Sequence, residues 1–149
     1  MVDAANALVN KSTKVEISAN GTSWTDISGY ATNIDPGEML RTDGGVFVFA
    51  ADKGQVTTGK LAIREVALDL LYTEGLSDAF KLIRAAIESD LPYYLRWSPQ
   101  GGSSGDFLFT SDVGKFLAIG DPTSAADSPD GVIVAATFKT GFVTLTAIA

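Results

Sequence analysis

The sequence predicts a mainly β fold carrying one α-helix. Fifteen glycines and five prolines, set among heavy Val, Ile, Thr and Phe usage, favour strands joined by turns. Apolar residues alternate with period two in KVEIS, in VALDLL and along the C-terminal GVIVAATFKTGFVTLTAIA. Three- and four-residue apolar spacing marks a single stretch, SDAFKLIRAAIES. At 149 residues the chain suits one domain, 1–149, since a core of that size buries about 68–70% of the unfolded surface.

Residues 1–13 offer only Leu8 and Val9 as apolar anchors, which predicts an arm without a fold of its own until it contacts something. KVEISA then places Val15 and Ile17 on one face, and Asn20-Gly21 predicts a hairpin turn into a strand with Trp24 and Ile27. Residues 36–58 break the pattern: PGEMLRTDGG is turn-rich, VFVFAA is apolar on both faces, and DKGQVTTG is polar again. Two readings stand for this stretch. One is a buried strand between two loops; the other is a projecting hairpin that packs on another subunit through Met39, Leu40, Arg41, Val46, Phe47, Val48 and Phe49.

The centre of the chain runs from Gly59 to Trp97 as strand, helix and strand. In KLAIREVALDLLY the alternation slips by one residue at Arg64-Glu65, which predicts a bulge in one long strand. Beyond it Val66, Leu68 and Leu70 share one face, and Glu65, Ala67 and Asp69 share the other. The helix turns Leu76, Ala79, Phe80, Ile83, Ala86 and Ile87 to one side, with Leu76, Phe80, Ile83 and Ile87 as its main packing residues. Thr73 or Ser77 is expected to cap its start, and Asp90 with Pro92 to end it before LPYYLRW. DFLFTSDVGKFLAIG reads as one interrupted or two short strands broken at Gly114, and the final strand is expected to bend at Gly141.

Chemistry is narrowed by what is absent. With no cysteine and no histidine, thiol nucleophiles, disulfides, Cys/His zinc sites and Ser-His-Asp triads are excluded. A net charge of −7 argues against a nucleic-acid-binding domain, which clusters Lys and Arg against phosphate. The N-terminus does not read as a secretory signal and no apolar run is long enough to span a bilayer, so a soluble intracellular product without membrane binding is expected.

The motifs do not combine into a site. Gly54 to Lys60 fits the first seven positions of a phosphate-binding loop, yet Leu61 stands where a hydroxyl should meet magnesium and a strand follows instead of a helix. Asp121, Asp127 and Asp130 share a loop without the spacing of a calcium site, and no metal or cofactor is expected. Tyr93, Tyr94 and Trp97 fall on alternate strand faces, which suits core packing better than a stacking platform. Glu65 and Asp69 share a face but lack a pocket or an oriented nucleophile, so the chain is not expected to be an enzyme.

The order of parts, with NGTSW in the first hairpin, GKLAIREVALDLLYTE before the helix, the RWSPQGGSSGD turn and the terminal TFKTG, resembles the major tail tube proteins of long-tailed, non-contractile bacteriophages over nearly the whole chain. The resemblance implies a β-sandwich or barrel monomer with one flanking helix, whose inner sheet joins a closed multi-subunit barrel. It implies stacked hexameric rings around a lumen that conducts DNA, with tape-measure and terminator proteins as further partners. The location implied is the virion tail, assembled in the host bacterial cytoplasm. In that frame Glu65, Ala67 and Asp69 line an acidic lumen, because a repulsive wall lets a polyanion slide. The loop 36–58 and the arm 1–13 join neighbouring subunits and rings. A gene transfer agent tube, a secretion-type tube and a free-standing β-sandwich binding module using Tyr93, Tyr94 and Trp97 remain the alternatives.

Overall fold

β1 (Lys14–Ser18) pairs antiparallel with the short β2 (Thr25–Asp26), forming the expected first hairpin. The structure, a computed structural model, describes residues 13–50, 52–123 and 130–149; residues 1–12, which make up nearly all of the predicted arm, lie outside it. The hairpin loop is longer than a two-residue turn and is built by side chains. Ser18 Oγ accepts the Gly21 N–H at 2.8 Å, and Asn20 Oδ1 accepts those of Thr22 and Ser23 at 2.9 Å. Gly21 sits at φ +79°, a left-handed conformation that glycine adopts without steric cost.

The chain continues as β3 (Ala31–Asp35), β4 (Arg41–Val46), β5 (Gln55–Leu61), β6 (Arg64–Leu71), α1 (Ala79–Glu88), β7 (Tyr94–Ser98), β8 (Phe107–Ser111), β9 (Gly114–Ile119), β10 (Ile133–Thr140) and β11 (Val143–Ala147). Among the described residues these strands form a five-stranded sheet in the order β11-β8-β7-β1-β2, a four-stranded sheet in the order β3-β6-β10-β9, and a β4-β5 ribbon. Val15, Ile17, Leu95 and Trp97 of the first sheet share one core with Val66, Leu68, Leu70, Val134 and Phe138 of the second. This is a β-sandwich, and burying each large aliphatic side chain in it contributes about 1.5–3 kcal/mol. Two of the three aromatic residues of LPYYLRW follow the core-packing expectation, Trp97 stacking on Phe109 at 5.5 Å and Tyr93 meeting Phe116 edge-on at 5.8 Å, while Tyr94 lies outside the core beside Gly21.

α1 packs on β9 and β6 with Ala79, Ile83 and Ala86 buried, and Phe80 and Ile87 rest against the core. Leu76 does not belong to that stripe. It lies in the turn before the helix and is 84% exposed, because the helix starts only at Ala79. The N-cap is Asp78, in place of the expected Thr73 or Ser77. Its carboxylate turns back to accept the Gly75 N–H and the Tyr30 hydroxyl, both at 2.8 Å, so the preceding turn is fixed to the residue just before β3. The nearby Thr73 hydroxyl, Tyr30 and the Gly75 N–H hold Asp78 below the ordinary carboxylate range, although Thr73 Oγ1 itself completes no hydrogen bond.

The helix ends where Asp90 and Pro92 predict. Asp90 takes φ +52°, its N–H reaches Ile87 O at 3.2 Å, and the Leu91 N–H reaches Ala86 O at 3.0 Å. This pair of bonds is the Schellman closure of a helix C-terminus.

The expected long strand with a bulge at Arg64-Glu65 is two strands in different sheets. The break falls at Ala62-Ile63, where Ile63 is 74% exposed; the Ala62 N–H goes to Leu40 O and Arg64 Nε donates to Pro36 O, each at 2.7 Å. The phase slip therefore marks a change of sheet. The C-terminal strand divides likewise at Gly141, β10 lying in the second sheet and β11 in the first. β8 and β9 part between the same two sheets, and the two crossings are bonded together. Asp112 N–H donates to Phe142 O at 2.9 Å, and the buried Thr140 hydroxyl is 3.0 Å from Asp112 O and 3.3 Å from Phe142 O. At the same corner Gly114 lies so near that a Cβ would stand 2.3 Å from Lys139 O.

Candidate assembly surfaces

Two surfaces stand apart from the core. The first is the β4-β5 ribbon, whose register runs from Arg41↔Leu61 to Val46↔Gln55 with an irregularity between Arg41 and Asp43. Every described residue from 37 to 60 is exposed, so the buried-strand reading of this stretch is excluded and its geometry is that of an exposed hairpin. Of the described residues of VFVFAA, only Val46 lies in a strand. Phe47, Val48 and Phe49 continue into the tip, at 75%, 47% and 114% exposure. Met39 and Leu40 are exposed at the base, Arg41 donates to Gly59 O at 3.2 Å, and Val56 on the return strand adds an apolar side chain that the sequence reading missed. The Gly54–Lys60 segment is strand and turn, without the helix a phosphate loop requires.

The second surface is the outer face of the four-stranded sheet. Val66, Leu68 and Leu70 point into the core, while Glu65 and Ala67 are exposed and Asp69 is half-buried on the other side. Register sets their neighbours. Ala67 lies between Thr137 and Asp35, Asp69 between Ala135 and Asn33, and Glu65 lies beside Lys139, which in turn faces Lys115. Lys139 Nζ is 3.8 Å from Glu65 Oε2, and Lys115 Nζ is 3.0 Å from Asp90 Oδ1. The face is thus carboxylate-rich but carries two lysines, which the sequence reading did not place there. Only the register between distant strands brings them in.

Charged groups elsewhere serve the scaffold. Arg96 makes a two-pronged contact with Glu16 at 3.0 and 3.1 Å and lies over the Trp24 ring at 4.2 Å. Asp121 of the aspartate-rich loop pairs with Arg84, and Asp127 lies outside the described residues.

This arrangement of sheets, helix and ribbon is found in solved assemblies. A chain of the sheath–tube complex of an extracellular contractile injection system, PVC, in the extended state superposes with a TM-score of 0.76 at 10% identity, over 97% of this chain and 94% of that one. A chain of the C6-symmetric tail of an empty gene transfer agent particle matches with a TM-score of 0.70 at 8% identity, covering 96% and 100%. The SPP1 tail tube matches with a TM-score of 0.68 at 7% identity, covering 95% and 81%. The chain has the tail-tube fold. No family model and no curated protein sequence matches it. Its occurrence in a contractile injection system as well as in a phage tail tube makes the tail-tube fold broader than the non-contractile group that the sequence resembles.

Proposed function

We propose that this chain is a structural, non-enzymatic tube subunit that polymerises as stacked hexameric rings around a lumen conducting DNA. One observation carries the reading: the chain aligns nearly end to end, in both directions, with chains from tube-bearing particles. The exposed ribbon supports it. Val46, Phe47, Val48 and Phe49 toward the tip, with Met39 and Leu40 at the base, place apolar side chains in solvent, a surface that calls for a partner of its own kind in a repeating assembly. β3 and β9, the outer strands of the four-stranded sheet, can pair with neighbouring copies to close a common barrel, with Glu65, Ala67 and Asp69 on its bore. Tape-measure and terminator proteins would complete the particle, a virion tail built in the bacterial cytoplasm.

Electron microscopy of the concentrated protein tests this directly. Rings or filaments with a central hole are expected, and particles that stay monomeric at every concentration would refute it. The paired substitution Phe47→Asp, Phe49→Asp should stop growth while changing monomer stability by less than about 0.5 kcal/mol, as exposed positions do. A gene transfer agent tail is the second reading, favoured by a match spanning the whole of such a tail chain. A tape-measure and terminase gene set alone, or gene transfer agent genes alongside, separates the two.

A further inference from the structure

The outer face of the four-stranded sheet carries its two lysines in one row. The register aligns Glu65, Lys139 and Lys115 across β6, β10 and β9, and Asp90, at the end of α1, closes the row beyond Lys115. Two ammonium groups placed side by side repel each other, which a sheet normally avoids. Here each has a carboxylate within 4 Å on its outer side. We infer, on the tube reading above, that Glu65 and Asp90 are counter-ions that keep Lys139 and Lys115 from gripping the phosphates of a passing polyanion.

The physical reason is range. A lone ammonium on a wall attracts phosphate across a Debye length of about 8 Å, and its repetition in every subunit would add up to a retaining surface. Paired with a carboxylate at 3.0 or 3.8 Å, the same group presents a dipole whose field falls away much faster. The neighbouring row, Asp35, Ala67, Thr137 and Ala118, holds no cation. The row of four is therefore where this face is most open to capture of DNA, and where two carboxylates prevent it. Glu65 acts in this account by occupying a lysine, more than by repelling DNA itself.

The test uses Glu65→Gln with Asp90→Asn, the asparagine being able to keep the left-handed conformation at that site. A short fluorescent DNA duplex is the probe, read by co-sedimentation with assembled tubes and by anisotropy with the soluble subunit. The double variant should hold at least about five-fold more duplex than the wild type at low salt, and lose it at about 0.5 M salt. Adding Lys115→Gln and Lys139→Gln should abolish the gain. A control pair outside both the ribbon and this row, Glu74→Gln with Asp112→Asn, changes net charge equally and should leave binding at the wild-type level. Equal binding by the double variant and the wild type overturns the inference, as does a gain by the control pair as large as that of the double variant. Should the wild-type chain form no tubes, the tube reading fails, and the soluble-subunit measurement still decides the role of the row.

Discussion

Asp26 shows how much a single exposed side chain can organise. Its carboxylate accepts the Ser28 N–H at 2.8 Å, and Ser28 Oγ accepts the Val15 N–H at 2.9 Å, so a polar relay ties the first hairpin to its own return. The Ser28 hydroxyl and N–H hold Asp26 below the ordinary carboxylate value, so the folded state favours the ionised form. Its stabilising effect is then complete above the unfolded value of about 3.9 and is lost as pH falls through the lower folded value. Unfolding midpoints followed between pH 6 and the acid limit should drop below about pH 4, less steeply for Asp26→Asn. Asp90 gives a second prediction at this scale. As a non-glycine residue in the left-handed region, it should lose about 0.5–1 kcal/mol on change to Ala, while Asp90→Gly keeps or gains stability by chemical denaturation. Asp90 was readable as a helix end because turn formers stop helices locally. Its ion pair with Lys115 was not, because a residue twenty-five positions away supplies the partner.

Period-two and period-3.6 patterns were legible because each is written within a few residues. Val66, Leu68 and Leu70 could be assigned to the core from alternation alone, and the helical stripe from its spacing. What failed was the extent of the elements. Leu76 extends the helical spacing by one more turn, yet the chain spends that turn placing Asp78 against Tyr30 and Gly75, and Leu76 is left in solvent. The two leucines should therefore behave oppositely in denaturant melts. Leu68→Ala should cost about 2–5 kcal/mol, the value for a cavity in a closed core. Leu76→Ala should change stability by less than about 0.5 kcal/mol. The slip at Arg64-Glu65 was a true signal with the wrong cause, since a bulge and a change of sheet both reset alternation. Only the partners of β5 and β6 separate them, and those partners are β4 on one side and β3 with β10 on the other.

At the scale of the whole molecule, the exposed ribbon and the outer sheet face are the two surfaces on which the proposed assembly rests. The ribbon was half legible: the sequence made residues 36–58 too apolar for a linker, but buried strand and projecting hairpin share that composition. Exposure settles the geometry at Phe47 and Phe49, and the paired Asp substitutions there remain the direct probe of its role. The Thr140 corner bears on a different property. Two of the passages of chain between the two sheets, β8 to β9 and β10 to β11, meet there, through Asp112, Phe142 and one buried hydroxyl. Thr140→Val should cost about 1–3 kcal/mol by taking the hydroxyl donor from Asp112 O, measurable as a lowered unfolding midpoint. Its larger effect would be mechanical. Because the polypeptide is stitched across at that point, a tug on either layer travels into the other as covalent tension, and the two cannot peel apart from this end unless the seam at Thr140 first gives way.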